Sequence, residues 1–468
     1  MASVNEQKFD VVVIGAGPAG EVAAGRLAQA GQHVALVEDD LVGGECSYYA
    51  CMPSKALLRP THALNEARRV PGAREAVTGE LDVESALRRR DEVIHELSDD
   101  LQLPWVESRG IVLIRGTGRL VGERSVVVEE TNGMTAALIA ERAVIIATGS
   151  GALMPPIPGL ADARPWNNRQ ATTAKRAPES LLVLGGGVVG VEMAQAWASF
   201  GTRVSLVEAL PTLISREEPF AGEQVADALR ELDVEVHLRV KAVRAGRTDD
   251  GDAFLELENG ARLTGTELLV AVGRRPLSER IGLETVGLTG GGVIEVDDQL
   301  RVPGHDWLFA LGDVNGRSLL THMGKYQAYV ASEVIQGREQ HLRSDGEESP
   351  RVVFTEPQVA AVGLTLAAAR TRGLRVRAVD HPTGGTAGGS FVGKGSVGTS
   401  RLVIDEDRGV IVGATFTGVE VAEWLHAATI AVIGQVPLED LRHAIPAFPT
   451  RSEVWLRLQE GYEAEGQE

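Results

Sequence analysis

Two segments of the chain share one pattern of apolar and polar positions. Each begins with a short apolar run, passes through a glycine-rich turn into a helix-like stretch, and closes on a second apolar run that ends in an acid; they cover residues 9–38 and 181–208. A short apolar run bounded by turn residues is typical of a buried parallel strand. The repetition therefore predicts two strand–turn–helix–strand units of the kind that bind dinucleotides.

Apolar runs and turn residues also predict the domain organisation. Residues 143–147 (AVIIA) predict a buried strand, and the following prolines mark an exit from the first unit near residue 151. Residues 309–314 (FALGDV) predict a strand that returns the chain to the first domain, and the polar stretch 337–350 is typical of a linker. We expect an α/β protein with two Rossmann-like dinucleotide-binding domains and a C-terminal α+β domain. The predicted domains are 1–150 together with 275–347, then 151–274, and finally 348–468.

Length and charge narrow the class of protein. The chain has 468 residues, with 46 Lys and Arg against 65 Asp and Glu, so its formal net charge is −19. A field of this sign repels nucleic acid and anionic membranes, and we expect neither as a partner. The N-terminal sequence lacks the pattern of a signal peptide, and no run of 18 uncharged apolar residues occurs. Because the chain has two cysteines rather than a disulfide framework, the sequence predicts a cytoplasmic protein.

The first unit carries a full dinucleotide fingerprint. Gly15, Gly17 and Gly20 follow the strand in the GxGxxG spacing, and Glu38 ends the next apolar run 18 residues later. The first glycine permits a sharp turn, the second lets the backbone approach a pyrophosphate, and the third allows close helix packing. An acid at the end of the second strand is placed to bind ribose hydroxyls. A lone GxGxxG also fits a structural turn, but strand, helix and acid together predict a nucleotide site.

The second unit repeats the fingerprint with Gly185, Gly187 and Gly190, and Glu208 again lies 18 residues past the third glycine. An acid there pairs with a free 2′-hydroxyl and repels a 2′-phosphate, so the sequence favours NAD(H) over NADP(H). Arg216 is the first cation after this acid, and a contact from it to a 2′-phosphate stays open as an alternative.

The two cysteines form a candidate redox pair. Cys46 and Cys51 lie five positions apart, and Cys51 stands four residues before Lys55 at the start of an apolar-patterned stretch. This pattern predicts a helix N-terminus, where the dipole and the cation favour a thiolate, which is both nucleophile and electron donor. Half a metal site is the alternative interpretation of the pair, but the chain has no third cysteine and the segment has no histidine before His62. We therefore expect no metal.

A set of motifs surrounds the pair in a fixed order along almost the whole chain. They are GGECSYYACMPSK at 43–55, ATG at 147–149, GGGVVGVE at 185–192, VGRRP at 272–276, LGDV at 311–314 and VVFTEPQVAAVGLT at 352–365. Together with the first GxGxxG, this set resembles the flavoprotein disulfide reductases related to lipoamide dehydrogenase, glutathione reductase and mercuric reductase. The resemblance implies FAD in the first site, NAD(P)H in the second, and a homodimer whose C-terminal domain is the dimerisation domain.

The resemblance also implies roles for individual residues. Cys51 is expected to touch the flavin as the charge-transfer thiol, and Cys46 to be the exposed interchange thiol. Lys55 and Glu192 are expected to pair beside the flavin N5, and Asp313 to hold the ribitol chain. The matching motifs add further candidate cofactor-binding residues: Thr148, Gly149, Gly273, Arg274 and Gly312. Hydride would pass from the nicotinamide to the flavin, which would then reduce the disulfide between the two cysteines.

The chain departs from the family pattern near its C-terminus. The segment AFPTRSE has Phe448 where the disulfide reductases have a histidine, supplied by the partner subunit, and it keeps Glu453 where their glutamate stands. A phenyl ring exchanges no proton, so a thiol leaving group would depart unprotonated, which costs roughly 10² to 10⁴ in rate. His443 lies five residues earlier and is an alternative proton carrier, although its side chain would be displaced by many ångströms.

The acceptor of the electrons stays open at this point: a quinone, a small disulfide or another electrophile. A similar Phe for His replacement occurs in 2-ketopropyl coenzyme M oxidoreductase/carboxylase, which makes C–C cleavage with carboxylation one alternative, although Glu453 and the PSK sequence at 53–55 follow the reductases. A flavin-bound redox sensor with little turnover is the other. Mercuric reductase and large thioredoxin reductase need a further C-terminal redox pair, and no cysteine follows Cys51.

One charged segment carries no functional prediction. Arg88, Arg89 and Arg90 follow a helical stretch and precede two acids, a pattern that predicts a solvated charged face.

Overall fold

The computed structural model describes residues 6–395 and 397–465. The chain forms two compact units, each assembled from three segments. The first unit combines the segment that ends at Pro53 with Asp91–Ala152 and Arg274–Gly346. The second unit combines Ser54–Arg90, Leu153–Gly273 and the segment that begins at Glu347.

The described residues form twenty strands. In chain order they are β1 (Glu6–Ile14), β2 (Val34–Glu38), β3 (Val112–Gly122), β4 (Ser125–Glu130), β5 (Thr135–Ile146), β6 (Ser150–Ala152), β7 (Ser180–Leu184), β8 (Arg203–Val207), β9 (Glu235–His237), β10 (Ala242–Arg247), β11 (Ala253–Leu257), β12 (Arg262–Gly265), β13 (Glu267–Val270), β14 (Arg274–Pro276), β15 (Leu308–Ala310), β16 (Arg351–Val353), β17 (Gln358–Gly363), β18 (Val376–Pro382), β19 (Thr399–Asp405) and β20 (Val410–Gly418).

The same residues form thirteen α-helices and eight short 3₁₀ helices. The α-helices are α1 (Pro18–Gln29), α2 (Gly44–Tyr48), α3 (Cys51–Arg69), α4 (Val83–Val93), α5 (Leu103–Ser108), α6 (Asn168–Thr173), α7 (Val188–Ser199), α8 (Pro219–Glu231), α9 (Thr321–Ile335), α10 (Leu366–Thr371), α11 (Leu425–Ile433), α12 (Leu438–Leu441) and α13 (Val454–Glu465). The 3₁₀ helices are Arg74–Ala76, His95–Leu97, Leu283–Val286, Gly312–Asn315, Gly346–Glu348, Gly388–Val392, Val421–Trp424 and Arg451–Glu453.

The first unit is organised around β1. This strand pairs in parallel with β2 on one side and β5 on the other, and β15 extends the sheet beyond β5, also in parallel. Because alternate side chains point to opposite faces, Val12 and Ile14 enter one core while Val11 and Val13 enter another. Burial on both faces explains why β1 is a continuous apolar run. The long strands β3 and β5 continue past this region and are bridged by β4 in an antiparallel meander.

The second unit contains three sheets. Strands β13, β7, β8 and β9 form a parallel sheet in that order, and β7 again divides its side chains between two cores: Leu181 and Val183 face one, Leu182 and Leu184 the other. Strands β10, β11 and β12 form an antiparallel sheet. The C-terminal segment adds a five-stranded antiparallel sheet in the order β16, β17, β20, β19, β18, whose core also takes residues from α11 and α13.

The prediction of a solvated face at the three consecutive arginines is wrong for one of them. Arg88 and Arg89 are exposed, but Arg90 is fully buried and donates hydrogen bonds to the carbonyl oxygens of Thr172 and Ala174. A buried guanidinium requires such partners, and they come from a segment about 80 residues away that the local charge pattern does not reveal.

Residues 6–395 and 397–465 form no membrane-spanning helix. None of the helices formed there combines the length and the apolar character needed to cross a bilayer.

Candidate functional site

The first glycine-rich turn connects β1 to α1. Gly15 adopts a φ of +101°, and a Cβ on it would lie 2.4 Å from the carbonyl oxygen of Ala147, so only glycine fits. A Cβ on Gly20 would lie 1.9 Å from the Gly15 oxygen, which explains how closely the helix approaches the turn. Gly17 is the N-cap, carries no side-chain cap, and has open space where its Cβ would be. The uncapped amides of the first helical turn therefore form a site that suits a phosphate.

Glu38 closes this turn from the end of β2. Its Oε2 accepts a hydrogen bond from the Ala16 amide at 2.6 Å, and its Oε1 accepts one from the Asp40 amide at 2.8 Å. Burial raises the pKa of Glu38, while the two amide hydrogen bonds lower it. The carboxylate thus sits beside the glycine turn, where an acid binds a ribose. These residues fit a dinucleotide cofactor.

The second turn, between β7 and α7, repeats this geometry. Gly185 adopts a φ of +112°, and a Cβ on Gly190 would again lie 1.9 Å from the oxygen of the first glycine. Gly187 is the uncapped N-cap of α7, with open space beside it. Glu208 accepts hydrogen bonds from the amides of Gly186 at 2.6 Å and Leu210 at 2.7 Å. The second unit therefore also fits a dinucleotide.

Asp313 lies in the 3₁₀ turn that follows β15, next to Gly312. Its Oδ2 accepts a hydrogen bond from the Ser150 hydroxyl at 2.5 Å. The Arg274 Nε donates to the same hydroxyl at 2.6 Å and lies 3.6 Å from Asp313 Oδ2. Burial raises the pKa of Asp313, and the Ser150 hydrogen bond and the Arg274 charge lower it. Arg274 also lies 3.7 Å from Glu45, the residue before Cys46.

The remaining candidate cofactor residues lie at the ends of strands. Thr148 and Gly149 follow β5, and the Thr148 hydroxyl donates to the Leu277 carbonyl oxygen at 2.7 Å. Gly273 belongs to the second unit, between β13 and β14. Crevices at the carboxyl ends of parallel strands are where α/β sheets bind ligands, so these positions agree with a cofactor role.

Cys46 lies in the short helix α2, and Cys51 is the first residue of α3. Both are partly buried in the first unit, and neither forms a disulfide bond in this structure. The hydrogen bond to the Cys51 sulfur is the largest cause that raises the pKa of Cys46, followed by burial. The Cys51 Sγ also lies 3.5 Å from the Thr321 Oγ1, at the start of α9. Two sulfurs within hydrogen-bonding distance are close enough to alternate between dithiol and disulfide.

The glycine turn and the redox segment approach each other within the first unit. A Cβ on Gly44, whose φ is +61°, would lie 2.7 Å from the Gly17 Cα. The backbone that leads into Cys46 therefore packs directly against the uncapped turn. This contact depends on glycine at position 44, since a side chain there would meet backbone atoms that cannot move aside.

Lys55 and Glu192 meet in the second unit. The Lys55 Nζ lies 2.8 Å from Oε2 and 3.0 Å from Oε1 of Glu192. The Phe354 amide donates to Oε1 at 2.9 Å, and the Lys55 Nζ also lies 4.7 Å from the centroid of the Phe354 ring. The carboxylate is buried, and its charge is balanced by the lysine and one amide, as a buried acid requires.

The C-terminal pair divides between surface and interior. Phe448 is 78% exposed in this chain, whereas Glu453 is buried and accepts a hydrogen bond from the Gly388 amide at 3.3 Å. His443 is exposed at the end of α12. The phenyl ring stands on the surface, open to a partner, while the acid holds the 3₁₀ helix that begins at Gly388.

Three contacts of the site were missed by sequence reasoning. Thr321 beside Cys51, Ser150 beside Asp313, and the Phe354 amide on Glu192 all come from segments more than 100 residues away. A hydroxyl or amide at that separation has no local spacing signal. No group of three or more His, Cys, Asp or Glu side chains among the described residues is placed to hold a metal ion.

Comparison with known proteins identifies the family. The model of the pyridine nucleotide-disulphide oxidoreductases matches residues 9–333, and the model of the dimerisation domain of the same family matches residues 349–458. The chain belongs to the pyridine nucleotide-disulphide oxidoreductase family. The family prediction and the α/β fold class made from the sequence are confirmed.

Relatives within the family include dihydrolipoyl dehydrogenases. The chain is 31% identical to the dihydrolipoyl dehydrogenase of Halobacterium salinarum over 457 residues. The alignment covers 96% of this chain and 95% of the relative. The chain is 32% identical over 454 residues to that of Geobacillus stearothermophilus, with 95% and 94% covered.

Solved structures agree with this membership. The Cu(II) complex of the HOCl-induced flavoprotein disulfide reductase RclA from Escherichia coli superposes with a TM-score of 0.83 at 26% identity, covering 97% of this chain and 99% of that one. LpdA from Mycobacterium tuberculosis has a TM-score of 0.85 at 23% identity, with 97% and 99% covered, and shares the fold. The chain is thus an FAD-dependent oxidoreductase of a family that uses a pyridine nucleotide, which confirms the enzyme class predicted from the sequence.

Proposed function

We propose that this enzyme takes hydride from NADH and delivers the electrons through FAD and the Cys46–Cys51 pair to a small-molecule acceptor, as a cytoplasmic homodimer. The observation that carries the proposal is a pair of hydrogen-bonded thiols in the unit where Gly44, two residues before Cys46, packs against an uncapped dinucleotide turn. The acceptor is a small disulfide, a quinone or another electrophile.

The first unit supplies the proposed FAD site. Bound there, FAD accepts a hydride from the nicotinamide and releases two electrons to the cysteine pair. The turn at Gly15, Gly17 and Gly20 would hold the pyrophosphate, and Glu38 the adenosine ribose. Asp313, already oriented by Ser150 and Arg274, would accept hydroxyls of the ribitol chain, with Thr148, Gly149 and Gly312 lining the approach.

The second unit supplies the proposed nicotinamide nucleotide site. The turn at Gly185, Gly187 and Gly190 would hold the pyrophosphate, and Gly273 would let the backbone approach the cofactor. Glu208 would accept the 2′-hydroxyl of the ribose. Its carboxylate is fixed by two backbone amides, so its negative charge would face a 2′-phosphate and disfavour NADP(H).

The cysteines would perform the second half-reaction. Two electrons break the S–S bond of the oxidised pair, and uptake of one proton leaves a thiolate on Cys51 and a thiol on Cys46. The raised pKa of Cys46 beside Cys51 supports this order, because the interchange thiol keeps the proton. Cys46 would then lose its proton and attack the acceptor, while Lys55, held by Glu192, would place a positive charge near the flavin.

Phe448 sets the character of the acceptor. In the disulfide reductases a histidine at this position donates the proton that a departing thiol needs, and a phenyl ring cannot replace it. An acceptor that needs no protonation of a departing group therefore fits best. Dimerisation would bring the exposed Phe448 ring of one subunit, and the Glu453 that anchors its segment, toward the cysteines of the other. The match to the family's dimerisation domain supports this assembly.

The proposal is tested by anaerobic titration of the FAD-containing enzyme with NADH, followed by addition of disulfides and quinones with and without bicarbonate. We expect a long-wavelength charge-transfer band that appears on reduction and discharges on one acceptor class. The band should vanish in Cys51→Ser and persist in Cys46→Ser, since the proposal makes Cys51 the thiol that would touch the flavin. A reduced state that no acceptor reoxidises would instead support a redox sensor. Turnover that requires bicarbonate would support C–C cleavage with carboxylation.

A further inference from the structure

A cavity of about 390 Å³ lies in the second unit, at the C-terminal end of α3. Its volume is within the range of small-molecule sites. The charged side chains that line it are four cations and one carboxylate: Arg68, Arg69, Arg74, Lys394 and Glu356. Such a concentration of positive charge contrasts with the net charge of −19 of the whole chain.

The cations come from three separate segments. Arg68 and Arg69 occupy the last turn of α3, where the helix dipole favours cations. Arg74 comes from a 3₁₀ helix, and Lys394 from a loop of the C-terminal segment. A Cβ on Gly393 would lie 2.6 Å from the Arg69 carbonyl oxygen, so this loop packs directly on the helix end. The dipole of α3 accounts for two of the four cations and leaves the other two unexplained.

The single carboxylate is already neutralised. Glu356 forms an ion pair with Arg69 through Oε1, and its Oε2 accepts a hydrogen bond from the Asn65 amide nitrogen at 2.9 Å. Both oxygens are therefore engaged with the protein. The Nε of Arg69 is buried and has no hydrogen-bond partner among the described residues.

The other cations keep most of their charge. Arg74 contacts the exposed Glu75 at 2.7 Å, and Arg68 lies 3.8 Å from Glu80, whose side chain is 96% exposed. Exposed pairs of this kind contribute little because water screens them. Lys394 has no carboxylate within 4.0 Å in the part of the chain that the structure describes. Within the described residues the cavity thus combines Lys394, which has no acidic partner, with Arg68 and Arg74, whose acidic partners are exposed and open to displacement by another anion.

We propose that this cavity binds a small multivalent oxyanion, with phosphoryl or carboxyl groups. Guanidinium forks bind such groups in a bidentate manner, and a lysine adds a mobile point charge. Lys55 lies fourteen residues before Arg69 on α3, about 21 Å along the helix axis. Neither Lys55, Glu192 nor the second dinucleotide turn lines the cavity, so we expect it to hold an effector rather than the nicotinamide nucleotide.

The test is calorimetric titration of the FAD-containing enzyme in the presence of saturating NAD⁺, which occupies the second dinucleotide turn. Pyrophosphate and citrate are titrated separately, so that a phosphoryl ligand is distinguished from a carboxylate ligand. We expect one site per chain for at least one probe, with an affinity that weakens as KCl is raised. Absence of binding for both probes at millimolar concentration overturns the proposal.

Two exposed residues provide the variants, because their substitution leaves the core intact. Lys394→Gln and Arg74→Gln should each weaken binding about fivefold, and the double variant about twentyfold or more. Arg372→Gln is the matched control, an exposed arginine of the same unit that pairs with Glu347 and Glu348 outside the cavity. Equal affinities for the wild type and the double variant would overturn the proposal, even with binding present.

Discussion

The Lys55 ammonium bridges both carboxylate oxygens of Glu192, at 2.8 Å and 3.0 Å, although 137 residues separate them in sequence. The side chain of Glu192 is 3% exposed and that of Lys55 is 32% exposed, so the acid is in the interior and the cation at its edge. A buried carboxylate depends on such a partner, because the desolvation of an unpaired charge is costly. The pair therefore has a structural role in addition to its proposed place near the flavin.

We expect Lys55→Met to lower the free energy of unfolding by about 2–4 kcal/mol, because it leaves the Glu192 carboxylate buried with one amide donor. Glu192→Gln should cost less, about 1–2 kcal/mol, since its amide oxygen still accepts from the Phe354 amide. Urea unfolding of the FAD-containing protein measures both.

The control for this pair is Arg88→Met, which breaks an exposed i, i+4 ion pair with Glu84 and should change stability by less than about 0.5 kcal/mol. If Lys55→Met were as mild as this control, the buried pair would contribute nothing to stability.

Phe448→His should raise the rate of disulfide or dithiol turnover by about 10² to 10⁴, because it restores a group that exchanges protons with the interchange thiol. The rate of lipoamide-dependent oxidation of NADH is the measurement. Ile445→His is the matched control, since Ile445 is 80% exposed and lies three residues earlier. Equal rates in the two variants would show that the position of the histidine does not affect the reaction. The comparison with the family at residue 448 would then not explain the rate.

Glu208→Gln should reduce the preference for NADH over NADPH by about tenfold, measured as the ratio of the two kcat/KM values. The substitution removes the negative charge that repels a 2′-phosphate, while its amide oxygen still accepts from a backbone amide. Glu235→Gln is the control, an exposed acid in β9 of the same sheet. An unchanged ratio would mean that a residue other than Glu208 determines the preference for NADH or NADPH. Arg216 would then be the first candidate.

The raised pKa of Glu21 should make the free energy of unfolding depend on pH. Burial raises its pKa to about 7 from the ordinary 4.5, although the Lys325 charge lowers it. The folded protein therefore holds this proton more tightly than the unfolded chain. The associated stability is complete below pH 4.5 and is lost as the pH rises to about 7.

Relative to Glu21→Gln, the wild type should thus lose up to about 3 kcal/mol of unfolding free energy between pH 4.5 and 7. Urea unfolding of both proteins across this range gives the difference. Parallel pH profiles would mean that Glu21 is ionised in the folded state throughout.

Local sequence patterns were sufficient to predict the strands and turns that carry the two GxGxxG fingerprints. The apolar runs that become β1 and β7 are buried on both faces, and Gly15 and Gly185 stand at turns that only a positive φ can make. These features depend on neighbouring residues, so period and spacing reveal them. The order of motifs then predicted the family, because the same residues recur in the same sequence of strands and turns.

The sequence by itself determined the family, through the order of its motifs. It also determined the α/β class, the two glycine turns and the cysteine pair, since each of these depends on residues close along the chain. Only the tertiary structure decided which charges are paired: that Arg90 is buried, that Thr321 reaches Cys51, and that Glu356 is neutralised while Lys394 is not. Burial and pairing depend on segments brought together by packing from distant parts of the sequence. Desolvation then fixes the cost of each charge, and no local pattern of residues contains that information.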